Sequence, residues 1–169
     1  MKIQQLFKLL IDISFYLLIP VIFLFPGAIV YTLIFPDQEL IKLTAGTISV
    51  SKWSTALILL GIYVEYVIFF VGFYNLRKFS ALLLKNKIFS TLSIKRTKKI
   101  GLFFTICGAS TLVLRVLYAL IFSSEFRLEF GFSDVQLFLF LTIIGVFFLI
   151  LSSAFERAMQ LEEETKLTV

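Results

Sequence analysis

The chain has 169 residues, of which 59% are apolar, and its mean hydropathy is +0.99. A soluble domain is about half apolar or less, and here the excess lies in runs of about 20 residues, the length that crosses a ~30 Å hydrocarbon layer. The formal charge is +5, histidine is absent, and there is one cysteine. The composition therefore excludes an intramolecular disulfide, a thiolate metal cluster and a histidine-based site. It indicates an integral membrane domain, whose basic residues form a collar rather than a surface for nucleic acid.

Four apolar runs predict four transmembrane helices, at about residues 13–35, 55–74, 100–122 and 135–155. The first run contains Pro20 and Pro26, each of which removes a backbone donor and predicts a kink. This run is too long for the apolar region of a cleaved signal peptide, so we expect it to remain as the first span. The predicted fold is an all-α membrane protein, a four-transmembrane-helix bundle forming a single domain over residues 1–169.

The polar segment 36–54 between the first two spans predicts a small extracytoplasmic β-hairpin. Apolar and polar residues alternate on both sides of Ala45-Gly46, and the apolar ones are Ile41, Leu43, Ile48 and Val50. A two-residue turn at Ala45-Gly46 would place these four side chains on one face. Because an isolated hairpin is marginal in water, it would lie against the helix ends or the lipid headgroups.

The distribution of lysine and arginine along the chain predicts how the protein is oriented in the membrane. Two of these residues precede the first span, and eight lie between spans two and three. Together they are ten of the sixteen basic residues, far more than the other two loops contain. Basic loops stay in the cytoplasm, so we expect both termini, the loop 75–99 and the tail 156–169 to be cytoplasmic. The apolar middle of the loop would form helix ends or lie along the membrane surface. The predicted cytoplasmic basic surface consists of Arg77, Lys78, Lys85, Lys87, Lys95, Arg96, Lys98 and Lys99.

Glu65 and Arg115 are the charged residues near the centres of spans two and three. A charge at that depth costs at least ~2.5–3.5 kcal/mol, so each should face the bundle and find a partner. Side chains lean toward the amino terminus of their helix, which tilts the two charges toward each other in antiparallel spans. The sequence predicts an intramembrane Glu65–Arg115 ion pair, with Gly61 or Gly108 making room for it.

Small residues at helical spacing support this contact, since they let helix backbones approach closely. The stripe on span three is Gly101, Thr105, Gly108, Thr111 and Arg115. A structural pair that fixes helix register is favoured over a carboxylate that couples protons or ions, because one pair is not a relay. Asp12 does not extend the pair, since it lies near the inner membrane face.

The tail predicts a docking surface for a partner. A helix continuing from span four would present a compact acidic surface to a basic cytosolic protein, and a solvated helix end is the alternative. The charged residues of this tail are Glu156, Arg157, Glu162, Glu163 and Glu164. The sequence contains no HExxH, GxSxG or Walker motif and no paired carboxylates in an aqueous position. We therefore expect no enzyme activity, no cofactor and no metal site.

Two segments, AFERAMQLEEETKLTV at the tail and KNKIFSTLSIKRTKKIG at the centre, resemble a bacterial family of four-span membrane proteins, the domain of unknown function 2975. The family usually has Gly-x-Pro-Phe where this chain has Asn86-Lys87-Ile88-Phe89. The resemblance implies a multi-pass protein of the bacterial cytoplasmic membrane without catalytic residues. Members of the family are often encoded beside a small helix-turn-helix regulator, which implies such a DNA-binding protein as a partner.

Three functions stay open at this point. The leading hypothesis is a non-enzymatic membrane protein that regulates or senses through a small cytosolic helix-turn-helix regulator, without touching nucleic acid itself. The second is a small transporter or ion-translocating subunit that uses Glu65 and Arg115. The third is a membrane scaffold that forms homo-oligomers.

Overall fold

A computed structural model of the protein describes residues 3–34, 52–85, 89–122 and 132–167. These segments hold four helices, α1 (Ile3–Ile34), α2 (Lys52–Leu84), α3 (Thr91–Phe122) and α4 (Phe132–Leu167). The predicted all-α fold with four membrane-crossing helices is therefore confirmed. The hairpin predicted over residues 36–54 falls on residues outside this description, apart from those at Lys52 and beyond, which already belong to α2.

Each helix is long and apolar enough to cross a membrane. The candidate spans cover 32, 30, 27 and 28 residues in α1 to α4. At 1.5 Å per residue each exceeds a ~30 Å hydrocarbon layer, so their ends reach the headgroups or the helices tilt. Helix α1 stays continuous through Pro20 and Pro26. The molecule is a multi-pass membrane protein.

The segment 75–99, expected as a loop, is mostly helix, because α2 continues to Leu84 and α3 begins at Thr91. The Ser90 hydroxyl accepts a hydrogen bond of 3.2 Å from the Ser93 backbone N–H and caps the start of α3. Phe79 and Leu83 of the α2 extension pack in one apolar cluster with Ile100 of α3 and so hold the two helices together there. We call this end of the molecule, where α2 connects to α3, the basic end.

The helices pack in chain order, α1 on α2, α2 on α3 and α3 on α4. Within the described residues, the backbone of α1 approaches neither α3 nor α4. Helices α2 and α4 meet through side chains at the basic end, where the rings of Phe79 and Phe155 stack with centroids 6.5 Å apart. Large apolar side chains on the outer faces of α1 and α4 are exposed, as lipid contact requires.

Helices α3 and α4 touch through small residues. A Cβ atom added to Gly145 would lie 2.9 Å from the Gly101 carbonyl oxygen and against the Thr105 hydroxyl, and one added to Gly108 would meet Thr142. The hydroxyls of Thr105 and Thr142 donate at 2.9 Å to carbonyls one turn back on their own helices. The two backbones are therefore in direct contact, and no unpaired donor from these threonines is trapped between them.

A core of aliphatic and aromatic side chains lies toward the basic end. Its buried members are Ile11, Leu76, Phe79, Ile100 and Phe104. The Phe104 ring stacks on Phe69 of α2 at 5.6 Å and meets Phe148 of α4 edge-on at 6.4 Å. Helix α3 is thus the central helix, with α2 and α4 on two of its faces.

The close approach of α3 and α4 is testable with a glycine pair. Gly145→Ala should destabilise the protein by about 1–3 kcal/mol, because its methyl group would overlap the backbone of α3. Gly27→Ala is the matched control, since nothing lies within 4 Å of a Cβ atom at Gly27. Thermal unfolding in detergent, followed by circular dichroism, should show a lowered Tm for the first variant only. An unchanged Tm for Gly145→Ala would contradict the direct backbone contact.

Candidate functional site

Glu65 lies in the middle of α2, with its half-buried side chain against α3. The Thr111 hydroxyl donates a hydrogen bond to its carboxylate oxygen Oε1, and the Cys107 sulfur lies 3.9 Å from the same oxygen. The Thr111 hydroxyl is also 2.9 Å from the Cys107 carbonyl oxygen of its own helix. The carboxylate, the hydroxyl and the carbonyl therefore form one small polar cluster between the two helices.

This cluster accommodates either protonation state of Glu65. A threonine hydroxyl has one proton to donate and can also accept. When Glu65 is ionised, Thr111 donates to the carboxylate. When Glu65 is protonated, its O–H can donate to Thr111, and Thr111 then donates to the Cys107 carbonyl. The hydrogen bond between Glu65 and Thr111 can consequently be kept in either protonation state by a rotation of the Thr111 hydroxyl.

The structure does not bring Arg115 to this carboxylate. Among the described residues, the side-chain partners of Glu65 are Thr111 and Cys107, and the expected contact with Arg115 is not one of them. Arg115 follows Thr111 by one turn, and at 100° per residue it is rotated by about 40° toward the face of α3 that meets α4. Thr111 points more directly at α2 and occupies the place expected for the guanidinium.

The small-residue stripe on α3 contacts two neighbouring helices, α2 and α4, rather than one. Gly101, Thr105 and Gly108 face α4, while Thr111 faces α2. Gly61 of α2 makes room for Leu114, whose Cδ2 atom would lie 2.6 Å from an added Cβ, and not for an ion pair. The stripe was expected to face α2 because the sequence does not show that α3 sits between two helices.

An ion pair at the basic end joins α1 to α2. Arg77 Nε donates to Asp12 Oδ1 at 2.7 Å, and Arg77 Nη2 donates to the Tyr16 hydroxyl at 2.9 Å. The guanidinium also lies 4.8 Å from the ring centroids of both Phe15 and Tyr16. The two charged side chains are 30% and 27% exposed, so the pair is only partly screened by solvent.

Sequence reasoning missed this pair by treating Arg77 as part of a surface. One signal was present, because Asp12 is the only acidic residue in the sequence of α1. Further contacts hold the same two helices together: the Tyr66 hydroxyl donates to the Leu18 carbonyl at 2.7 Å, and the Phe15 ring stacks on Phe70 at 4.9 Å. Helix α1 therefore depends on α2 for its place in the molecule.

A second arginine of the predicted basic surface is also structural. Arg96 Nη1 of α3 donates to Asn75 Oδ1 of α2 at 2.7 Å, and Asn75 is buried. Other buried polar residues surround this end of the bundle: Ser80, Ser93, Thr97 and Ser152. The Ser152 hydroxyl donates to the Ile94 carbonyl at 3.2 Å and so connects α4 to α3. Polar contacts thus extend across α2, α3 and α4 just beyond the apolar part of the bundle.

The remaining predicted basic residues form the accessible part of that surface. Lys87 lies outside the described residues. The exposed ones are Lys78, Lys85, Lys95, Lys98 and Lys99. The predicted surface therefore divides into two arginines that hold helices together and lysines that face outward.

The tail residues 156–167 are the end of α4, which is one uninterrupted helix. Glu156, Arg157 and the three glutamates at 162–164 are exposed, whereas Phe155 packs on Phe79 and meets Phe89 edge-on. The hydrogen bond between Ser152 and Ile94 fixes how far α4 extends past α3. It places the first residues of α3 beside a point on α4 about three turns before that helix ends. The last twelve or so residues therefore extend about 18 Å beyond the level of Thr91, the first residue of α3. We call residues 156–167 the acidic arm.

The described residues contain no group of three or more His, Cys, Asp or Glu side chains placed to hold a metal ion. Four apolar helices, a half-buried carboxylate between two of them and charged residues at one end define a small multi-pass membrane protein. The chain belongs to the family described as Protein of unknown function (DUF2975), whose family model matches residues 15–169. Searches of curated proteins and of solved structures gave no match.

A double-mutant cycle distinguishes the two partners considered for Glu65. We expect Glu65→Ala and Thr111→Val to show a coupling energy of about 1–2 kcal/mol in detergent unfolding, since each removes the same hydrogen bond. The parallel cycle of Glu65→Ala with Arg115→Ala should give less than about 0.5 kcal/mol. A larger coupling energy with Arg115 than with Thr111 would support the Glu65–Arg115 ion pair that the sequence predicts.

The Arg77–Asp12 contact predicts a difference between two charge-equivalent variants. Arg77→Gln should lower the free energy of unfolding by about 1–2 kcal/mol, because it removes a partly exposed ion pair and two cation–π contacts. Lys98→Gln removes the same charge from an exposed site at the same end and should leave stability nearly unchanged. The Tm values of both variants in one detergent provide the comparison, and equal Tm values would contradict a structural role for Arg77.

Proposed function

We propose that this protein is a non-enzymatic membrane partner of a small cytosolic DNA-binding regulator of the helix-turn-helix type. The observation that carries the proposal is the acidic arm, a continuous and exposed helical extension of α4. DNA-binding domains carry a basic surface, and an acidic helix is complementary to it. The family resemblance supplies the kind of regulator.

The proposal requires the basic end to face the cytoplasm, and the distribution of lysine and arginine supports that orientation. Ten of the sixteen basic residues lie in the amino-terminal segment and between residues 77 and 99. Basic residues are retained on the cytoplasmic side of bacterial membranes. In this orientation both termini and the acidic arm are cytoplasmic, where a DNA-binding protein would be found.

Charge and reach support docking on the arm itself. Glu162, Glu163 and Glu164 are exposed on the part that projects past α3, and Leu161 beside them is 62% exposed. A basic partner would gain electrostatic attraction from the glutamates and an apolar contact from the leucine. Because DNA attracts the same basic surface, a regulator bound here would be held away from DNA while its partner stays in the membrane.

A second candidate function, proton or ion translocation, is favoured by one observation. Rotation of the Thr111 hydroxyl keeps its hydrogen bond to Glu65 whether or not the carboxyl carries a proton, and Glu65 lies at the depth where transporters place such carboxylates. The first proposal has the stronger support, because translocation needs a chain of groups leading to both surfaces. A homo-oligomeric scaffold is the third candidate, for which the exposed outer faces of α1 and α4 leave room.

The docking proposal is tested by affinity purification of the full chain from detergent-solubilised membranes. The variant changes Glu162, Glu163 and Glu164 to glutamine. The control neutralises three acidic residues that the orientation rule places outside, Glu125→Gln, Glu129→Gln and Asp134→Asn. We expect a small helix-turn-helix protein to copurify with the natural chain and with the control, and at least tenfold less with the arm variant.

Mass spectrometry of the purified material identifies the proteins and measures their ratio to the bait. Two results would contradict docking on the arm. One is the absence of any DNA-binding protein from all three samples. The other is equal recovery with the arm variant and the control, which would move the contact to another surface.

A further inference from the structure

The groove between α1 and α2 at the basic end carries a second charged cluster that the proposed function does not use. The Lys78 ammonium lies 5.4 Å from the ring centroid of Tyr74, and the Tyr74 ring lies 6.1 Å from that of Phe15. Phe15 is one of the two rings beneath Arg77. Two cations therefore rest on one continuous aromatic patch, built from both helices. We call this group the α1/α2 patch.

We propose that the α1/α2 patch binds the phosphate headgroup of an anionic phospholipid. The patch holds two cations, Arg77 and Lys78, against one carboxylate, Asp12, and Lys8 lies one turn before Asp12 on α1. The net charge is positive and suits a phosphodiester. Basic sites between transmembrane helices at the headgroup level are a recurring way to bind anionic lipids.

The depth of the patch agrees with this ligand. After Glu65, the next charged residue of α2 is Arg77. The predicted second span, residues 55–74, ends just before Arg77 and covers about 30 Å as a helix. Arg77 and Lys78 thus lie in the first turn beyond the hydrocarbon. The rings of Tyr16 and Tyr74 are 58% and 39% exposed beside them, and aromatic residues prefer this interfacial level.

The side chains of the patch are already held in place. Arg77 is fixed by Asp12 and Tyr16, and the ring of Tyr74 orients Lys78. A phosphate that binds here does not have to order two long, free side chains, so less binding energy is lost as entropy. The exposed lysines elsewhere at this end offer charge alone. The patch should therefore bind one anionic lipid more tightly than the diffuse basic surface does.

Native mass spectrometry of the full chain in detergent tests the proposal, with added phosphatidylglycerol and, separately, phosphatidylcholine of the same acyl chains. Lys78→Gln should retain about fivefold less phosphatidylglycerol than the natural chain, the factor that one lysine contributes near an anionic surface. Lys98→Gln, which removes an equal charge from an exposed position on α3, should retain as much as the natural chain. Phosphatidylcholine should be retained weakly and equally by all three.

Tyr74→Leu gives a second measurement, because it removes the ring beneath Lys78 without changing the charge. We expect it to reduce phosphatidylglycerol retention as well. The proposal is overturned if Lys78→Gln and Lys98→Gln lose retention equally, which indicates diffuse attraction, or if neither loses any. It is also overturned if phosphatidylcholine is retained as well as phosphatidylglycerol. A further measurement with inorganic phosphate alone distinguishes a lipid headgroup from a free phosphate ion. A phosphate adduct that depends on Lys78 would assign the patch to a soluble anion instead.

Discussion

Hydrocarbon offers no hydrogen bonds, so polar side chains in the membrane-crossing parts of these helices must find partners on neighbouring helices or on their own backbone. Thr105 and Thr142 use their own carbonyls, and this allows the backbones of α3 and α4 to touch. Glu65 has no such local solution and takes a hydroxyl from α3 instead. The same requirement fixes the rotation of α3, because one of its faces must carry glycines and another must carry Thr111.

Helix α1 stands apart from this arrangement. Its backbone approaches α2 but, within the described residues, neither α3 nor α4. Tyr66 and Arg77 of α2 hold it through polar contacts, and stacked rings add to them. The inner three helices share a polar layer, whereas α1 contributes Ile11 to the common core and is attached along one seam. Motion of α1 relative to the rest would therefore open fewer contacts than motion of any inner helix.

Sequence patterns predicted the number and approximate place of the spans, because run length is a direct consequence of membrane thickness. They did not predict which residues meet. Thr111 and Arg115 differ by only about 40° around α3, and no pattern in one helix shows which neighbour lies in which direction. The extension of α2 to Leu84 was also underestimated, since lysines and arginines interrupt an apolar stripe that continues at helical spacing. The Asp12–Arg77 pair joins residues far apart in the chain, so local spacing gave no account of it.

The charges of the basic end consequently have three separate roles. Arg77 and Arg96 connect helices, Lys78 stands over an aromatic ring in the α1/α2 groove, and the glutamates of the acidic arm project from α4. The backbones of α1 and α4 do not approach each other in the described part of the chain, so the groove beside α1 and the arm that continues α4 lie on different flanks of the molecule. A lipid held in the groove would not obstruct a protein bound to the arm.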